Sequence, residues 1–359
     1  ISTPPDLTDK YIHDDLDYPV RFTNNCTESY KVHIPNTLLQ NEYNAININS
    51  DGNLIGISQI GGFVVDNQGI INHFISDSLT GFPLSYTPYI TSINYTPGYN
   101  KPWSIVESNV GNYLFSNSGV YPDNRAKRGG VIEVWPNFDK KRCWDTTDGL
   151  LDGLNGIWNG LDDMYMTIHQ IKKDSKNNIW VLNPYSEKNN NLAAVQLPNR
   201  SWRNIKAPDQ ESYLPQEVAF DNKQYAWFGF RKSITQEDGQ PYSSGGIKVL
   251  NPNDILNEND DEWYEIVNAD TTFPGDNPNI DVWSLTFDQD GDLWILTSNG
   301  VQGYKVGTLD NRPVLNPRLP QMDFYSYLPF YKGDKIRVDK QNNKWIITQH
   351  SGVRIIKAG

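Results

Sequence analysis

A short pattern that recurs six times along the chain is the feature that most constrains its fold. The second residue of each copy is small and polar, usually Asp, and we call it the anchor. Three turn residues follow it. A large apolar residue, which we call the slot, follows six positions after the anchor. The copies are INSDGNLIGI (48–57), ESNVGNYLFS (107–116), KDSKNNIWVL (173–182), FDNKQYAWFG (220–229), FDQDGDLWIL (287–296) and VDKQNNKWII (338–347).

The spacing of these copies predicts an all-β fold, a β-propeller with four-stranded antiparallel blades. Five intervals separate the first anchor from the last, with a mean of 58 residues, whereas propeller blades repeat at about 40–50 residues, and inserted loops account for the excess. A β-rich run precedes each anchor and two or three more follow it, which gives up to four strands per copy. The anchors are Asn49, Ser108, Asp174, Asp221, Asp288 and Asp339, and the slots are Ile55, Leu114, Trp180, Trp227, Trp294 and Trp345.

The slot tryptophans are expected to be buried between blades. Aromatic residues make up 12% of the chain, with 11 Trp and 20 Tyr, and such side chains suit pleated, half-buried surfaces. We therefore predict that Trp180, Trp227, Trp294 and Trp345 each pack against a neighbouring blade.

The acids around Gly291 allow a second interpretation, a calcium loop. Asp288, Asp290 and Asp292 partly match one, but position 299 is Asn where a distal Glu is expected. Three other copies have only the first acid, and one carboxylate is enough to cap a hairpin turn. The sequence therefore favours a structural turn and no metal ion.

These copies resemble the two-component-regulator propeller repeat, as DQDGDLWILTSNGV and DKQNNKWIITQHSGVRII show. The resemblance covers residues 44 to 356 and implies an extracytoplasmic propeller: a sensor domain, or part of a secreted or surface protein. The tail NNKWIITQHSGVRIIKAG is further similar to PorZ-like surface components of the type IX secretion system. That similarity implies a partner on the cell surface, such as a glycan, lipopolysaccharide or another protein of a larger complex.

The ends of the chain must close the ring, because a propeller hides its first and last sheet edges. The last copy ends at its third strand, and SYKVHI in residues 28–34 alternates as a strand does. We predict an N-terminal segment, 1–27, and one propeller, 28–359, whose last blade is completed by residues 28–34. Six copies predict six blades, or seven if a degenerate unit lies in 1–27 or the chain continues. The first residue is Ile1, so a processed or excised piece is expected.

Ligand-binding residues are expected where the first strand of each blade begins, at the mouth of the central channel. Polar groups beside aromatic rings suit a sugar or another polar ligand, although they can also line a channel that holds only water. Two residues from the loops after second strands, Arg231 and His350, reach the same face. The candidates five positions before each anchor are Asn44, Trp103, His169, Gln216, Trp283 and Asp334.

The remaining features narrow the function to binding. The formal net charge is −12 and no basic run is present, which argues against nucleic acid. No run of 18 apolar residues is present, so no transmembrane segment is expected. No local enzyme or cofactor motif is found, and the expectation is no enzyme, no cofactor and no catalytic residue. The sequence thus predicts a surface binding or scaffold module; the alternatives are a periplasmic sensor domain and a polysaccharide-active enzyme.

Overall fold

A computed structural model of the chain describes sixteen stretches, and the account below is limited to them. They are 11–13, 19–21, 44–57, 61–75, 103–117, 130–136, 141–144, 168–183, 191–208, 214–232, 245–266, 280–298, 300–317, 330, 333–348 and 352–358.

Six antiparallel sheets follow one another along the chain, each with its strands in sequence order. We number them blade 1 to blade 6. A separate hairpin, β1 (Tyr11–His13) and β2 (Pro19–Arg21), precedes them. Blade 1 is β3 (Ala45–Ile48), β4 (Leu54–Ile57), β5 (Gly61–Val65) and β6 (Ile71–Ile75). Blade 2 is β7 (Ile105–Glu107), β8 (Tyr113–Asn117), β9 (Gly130–Val134) and β10 (Lys141–Trp144). Blade 3 is β11 (Gln170–Lys173), β12 (Ile179–Leu182), β13 (Asn191–Gln196) and β14 (Trp202–Lys206).

The second half of the chain repeats this order. Blade 4 is β15 (Leu214–Phe220), β16 (Ala226–Arg231), β17 (Gly246–Asn251) and β18 (Glu262–Glu265), with a 3-10 turn at Glu258–Asp260 before its last strand. Blade 5 is β19 (Val282–Phe287), β20 (Asp292–Thr297), β21 (Gly300–Leu309) and β22 (Arg312–Pro317). Blade 6 is β23 (Lys335–Val338), β24 (Lys344–Thr348) and β25 (Gly352–Ile356). Each predicted copy spans the turn between the first two strands of one blade, so the β-propeller prediction is confirmed.

Blade 6 has three strands among the described residues, as the sequence predicts for the last copy. The segment 28–34, which we expect to supply its fourth strand, lies outside the described residues, and this closure stays a prediction. Within the described part of the chain, no helix is long and apolar enough to cross a membrane.

The anchor turns explain why Asp and Trp occur together in the repeat. In Asp288, Oδ1 accepts hydrogen bonds from the backbone N–H groups of Asp290 and Asp292, both at 3.0 Å. Oδ2 accepts from the indole Nε1 of Trp294 at 2.9 Å. The indoles of Trp180, Trp227 and Trp345 donate in the same way to their own anchors. One carboxylate therefore fixes both the hairpin turn and the orientation of the slot tryptophan.

The third residue after every anchor has a left-handed backbone. Its φ is 82° at Gly52, 80° at Gly111 and 81° at Gly291, and between 63° and 68° in the other three turns. Gly and Asn tolerate this conformation best, and only the blade 4 turn uses another residue, Gln224. Asp288 thus caps a hairpin turn, as the structural interpretation predicts, while the expected absence of calcium stays a prediction. Oδ2 of Asp288 also receives the buried ammonium of Lys344 at 2.8 Å.

Five apolar cores join the blades in sequence, one between each pair of neighbours from blade 1 to blade 6. Each slot side chain of blades 1 to 5 lies in the core that its blade shares with the next one. Trp180, for example, packs beside Phe220 and Phe228 of blade 4, with ring centroids 5.3 and 6.1 Å away. Trp180, Trp227 and Trp294 are no more than 5% exposed, as predicted.

The prediction for Trp345 is wrong, because this side chain is 37% exposed. Strand alternation places Ile346 and Ile356 in the core shared with blade 5 and directs Trp345 to the opposite face of blade 6. That face also exposes Ile347, Val353 and Ile355, and blade 1 exposes Ile46 and Ile48. The slot pattern gives the direction in which a side chain points, but not whether another blade covers it.

Calcium should not affect the stability of the protein if Asp288 serves the turn alone. We expect thermal melts recorded with EDTA and with excess calcium to coincide. A ligand bound only by the folded state raises the melting temperature, so a large upward shift with calcium would contradict the turn assignment.

Replacing Trp294 by Ala should cost about 3–5 kcal/mol of unfolding free energy, the range for a large aromatic side chain removed from a core. Trp345→Ala is the matched control, since it removes the same turn contact from an uncovered face. We expect it to cost about 1 kcal/mol, as an average substitution does. Chemical denaturation measures both values, and equal losses would show that Trp345 is covered in solution.

Candidate functional site

The first strands of the blades surround a central cavity. They are innermost in the fold, because β3, β7, β11, β15, β19 and β23 contact one another in that order. The cavity has a volume of about 1350 Å³ and extends from the start of these strands to the anchor turns. Its size falls just above that of ordinary small-molecule pockets.

Five of the eight predicted ligand-binding residues line this cavity: Asn44, Trp103, His169, Gln216 and Trp283. Asp334 is 1% exposed and lies behind the lining. Arg231 ends β16 and is outside the lining, and His350 is outside the described residues. The structure thus brings most of the predicted residues together, while their role in binding stays a prediction.

Two aromatic groups stand side by side at the mouth. The rings of Trp103 and His169 are stacked with centroids 5.7 Å apart and an interplanar angle of 3°. Among the described residues, the buried Nε1 of Trp283 has no hydrogen-bond partner. The stacked pair suits a polar ring such as a saccharide, whereas the buried indole N–H of Trp283 faces away from solvent.

A second layer of polar residues, which the sequence analysis missed, lies one position deeper. Four residues before each anchor stand Ala45, Ser104, Gln170, Glu217, Ser284 and Lys335. The Oγ of Ser104 donates to the carbonyl of Ile171 at 2.8 Å. Deeper in blade 1, the side-chain amide of Asn47 donates to the carbonyl of Ile105 at 2.9 Å. These inward side chains bond each inner strand to the next.

Glu217 is the centre of this layer and is fully buried. Its Oε1 accepts from Nε2 of Gln170 at 2.9 Å, and its Oε2 accepts from Oγ of Ser284. Ser284 in turn accepts from the backbone N–H of Ile336 at 3.1 Å. One carboxylate therefore connects blades 3, 4 and 5, and Ser284 extends the chain of bonds to blade 6.

Two cations of β23 reach the same carboxylate from blade 6. Nη1 of Arg337 lies 2.8 Å from Oε1 of Glu217, and Nζ of Lys335 lies 3.4 Å from Oε2. A third cation, Lys172 of β11, is half-buried and also lines the cavity. Three positive side chains thus face one buried carboxylate.

These charges shift the pKa values in the layer. Burial alone would raise the pKa of Glu217, but Arg337, Lys335, Lys172 and the Ser284 hydrogen bond outweigh it and lower the pKa to about 2. Burial lowers the pKa of Lys172 to about 8; Glu217 opposes this shift, and the charges of Arg337 and Lys335 add to it. Glu217 is therefore ionised at neutral pH, and Lys172 is mostly so.

Comparison with known proteins gives the fold only. No family model and no curated protein matches the sequence. PorZ, a bacterial surface component of the type IX secretion system of Porphyromonas gingivalis, aligns with a TM-score of 0.56 at 14% identity, over 89% of this chain and 40% of PorZ. The extracellular domain of the hybrid two-component system BT4673 from B. thetaiotaomicron aligns with a TM-score of 0.45 at 14% identity, over 87% of this chain and 38% of that domain. Virginiamycin B lyase from Staphylococcus aureus aligns with a TM-score of 0.48 at 13% identity, over 88% of this chain and 80% of the lyase.

The chain spans about two fifths of the length of PorZ and of the BT4673 domain. At 14% identity the alignment with PorZ supports the propeller fold alone and says nothing about a ligand.

The expectation that the chain is not an enzyme is wrong, because it relied on the lack of a local motif. Propeller enzymes stand among the matched structures, including the lyase and gluconolactonases at 10% identity. A site assembled from several blades leaves no local motif, so the lack of one excludes no activity.

Acid should destabilise the protein through Glu217. Its pKa falls from the ordinary 4.5 to about 2 on folding, so the stabilisation is complete above pH 4.5 and is lost as the pH falls toward 2. We expect thermal melts of Glu217→Gln to depend less on pH in this window than those of the wild type. Glu258→Gln, which removes an exposed carboxylate, is the control and should follow the wild type. A Glu217→Gln protein with the wild-type pH dependence would contradict the assignment.

Proposed function

We propose that the chain is an extracytoplasmic propeller module of a bacterial surface or secretion-linked protein, which binds a saccharide in the central cavity. The saccharide belongs to a surface glycan or to lipopolysaccharide. The observation that carries the proposal is the lining of the cavity mouth by stacked aromatic rings and polar side chains.

The lining provides both kinds of contact that a sugar requires. The stacked pair of Trp103 and His169 offers a flat surface to the C–H face of a sugar ring. Asn44 and Gln216 offer amide groups to hydroxyl groups. A site with apolar faces and a few polar groups is the usual form of a small-ligand pocket.

The proposed location follows from the similarity to PorZ, a surface component that the fold resembles over 89% of this chain. A protein partner that docks over the cavity mouth is the other outcome that this location would permit.

An array of bacterial surface saccharides tests the proposal. Binding should be detectable, and Trp103→Ala should weaken it by roughly 1 kcal/mol, or about fivefold, since stacked aromatic contacts contribute about 0.5–1.5 kcal/mol. Trp202→Ala is the matched control, because this half-buried tryptophan of β14 is outside the lining. Isothermal titration measures both variants. An array without a bound saccharide, or equal affinities of the Trp103 and Trp202 variants, would contradict the proposal.

A further inference from the structure

Three cations gather around Glu217 inside a chain that is acidic as a whole. The chain carries a formal net charge of −12, yet Lys172, Lys335 and Arg337 line the cavity side by side with the polar layer. The carboxylates near them are Glu217 and Asp334, both buried. Three cations therefore lie near two carboxylates here, while Lys173, Glu107 and Asp339 are the other charged residues of the lining.

The other carboxylates of the lining, Glu107 and Asp339, lie at the anchor end of the cavity and accept hydrogen bonds from neutral groups there. Glu107 accepts from the backbone N–H and the hydroxyl of Ser50, at 2.7 and 3.0 Å. Asp339 accepts from its own turn and from the indole of Trp345 at 2.8 Å. Among the described residues, neither carboxylate forms an ion pair with Lys172, Lys335 or Arg337.

Lys172 is the cation without a direct partner. Among the described residues, its ammonium group has neither a hydrogen bond nor an ion pair, although it is half-buried. Arg337 and Lys335 contact Glu217 but keep 45% and 32% of their side chains exposed. Their remaining N–H groups are thus available to a ligand in the cavity.

We infer that Lys172, Lys335 and Arg337 form a subsite for an acidic group, a carboxylate or a phosphate, on the saccharide that the cavity binds. The inference rests on the proposed function and specifies the class of its ligand. Ammonium and guanidinium groups bind both kinds of acid through charge-assisted hydrogen bonds, which are about twice as strong as neutral ones. A ligand acid would give Lys172 the partner that it lacks.

Titration with glucose, glucuronate and glucose 6-phosphate tests the inference, because the three sugars differ only in their acid group. We expect an acidic sugar to bind at least about tenfold more tightly than glucose, the size of one charge-assisted contact. The stronger of the two acids identifies the group as carboxylate or phosphate. Glucose that binds as tightly as both acids would overturn this inference and leave the saccharide proposal standing, whereas absence of all sugar binding would overturn both.

Variants of Lys172 separate a subsite from general attraction. Lys172→Gln should abolish most of the preference for the acidic sugar, and Lys172→Arg should keep it. Lys305→Gln, which removes an exposed lysine of β21 outside the lining, is the charge-matched control and should behave as the wild type. A Lys172→Gln protein that melts like the wild type and retains the full preference would overturn the inference.

The pH dependence supplies an independent readout. The charged groups that act on Lys172 are Glu217, Arg337 and Lys335, and the pKa of Lys172 is about 8. Its positive charge is present below this value and lost above it. The preference for the acidic sugar should therefore decrease between about pH 7 and about pH 9, and it should decrease less in Lys172→Arg, because the guanidinium stays charged. Equal pH dependence in both proteins would overturn the role of Lys172.

Discussion

The bond between an anchor carboxylate and the indole of its own slot tryptophan determines much of this fold. One oxygen of Asp174, for example, accepts from two backbone N–H groups of the turn, and the other accepts from Trp180 at 3.0 Å. The turn therefore orients the side chain that fills the next inter-blade core. A local contact across six residues in this way sets long-range packing, which is why the same pair recurs in four blades. Blades 1 and 2 support this explanation, since their slots are Ile55 and Leu114 and their anchors, Asn49 and Ser108, cap the turn without an indole partner.

The sequence was sufficient to predict the blades because anchor and slot are close in the chain. Their spacing gave the number of sheets, the turn at each anchor and the burial of three tryptophans. It failed for Trp345 because coverage depends on the neighbour of blade 6, which no local pattern describes. Residues five positions before the anchors were predicted at the mouth because each lies at a fixed distance from its anchor, where the first strand begins. Five of the six line the cavity.

The charged layer could not be predicted in the same way. Glu217 and Arg337 are brought together by the ring, and 120 positions of sequence separate them. A signal was nevertheless present, since the position four before the anchor is polar in five of six copies. Such a position on the innermost strand would be apolar if it faced a closed core. Its polarity indicates a bonded or wet interior, while the partners of each side chain require the structure.

The cavity opens between the uncovered faces of blades 1 and 6. The lining includes Ile48 of blade 1 and Ile347 of blade 6, so the cavity extends between the two end blades. Through the five described cores, each end blade packs against one neighbour, whereas blades 2 to 5 pack against two. The positions of blades 1 and 6 therefore set the width of the cavity. Because Lys335 and Arg337 belong to blade 6, their distance from Lys172 of blade 3 depends on the same packing.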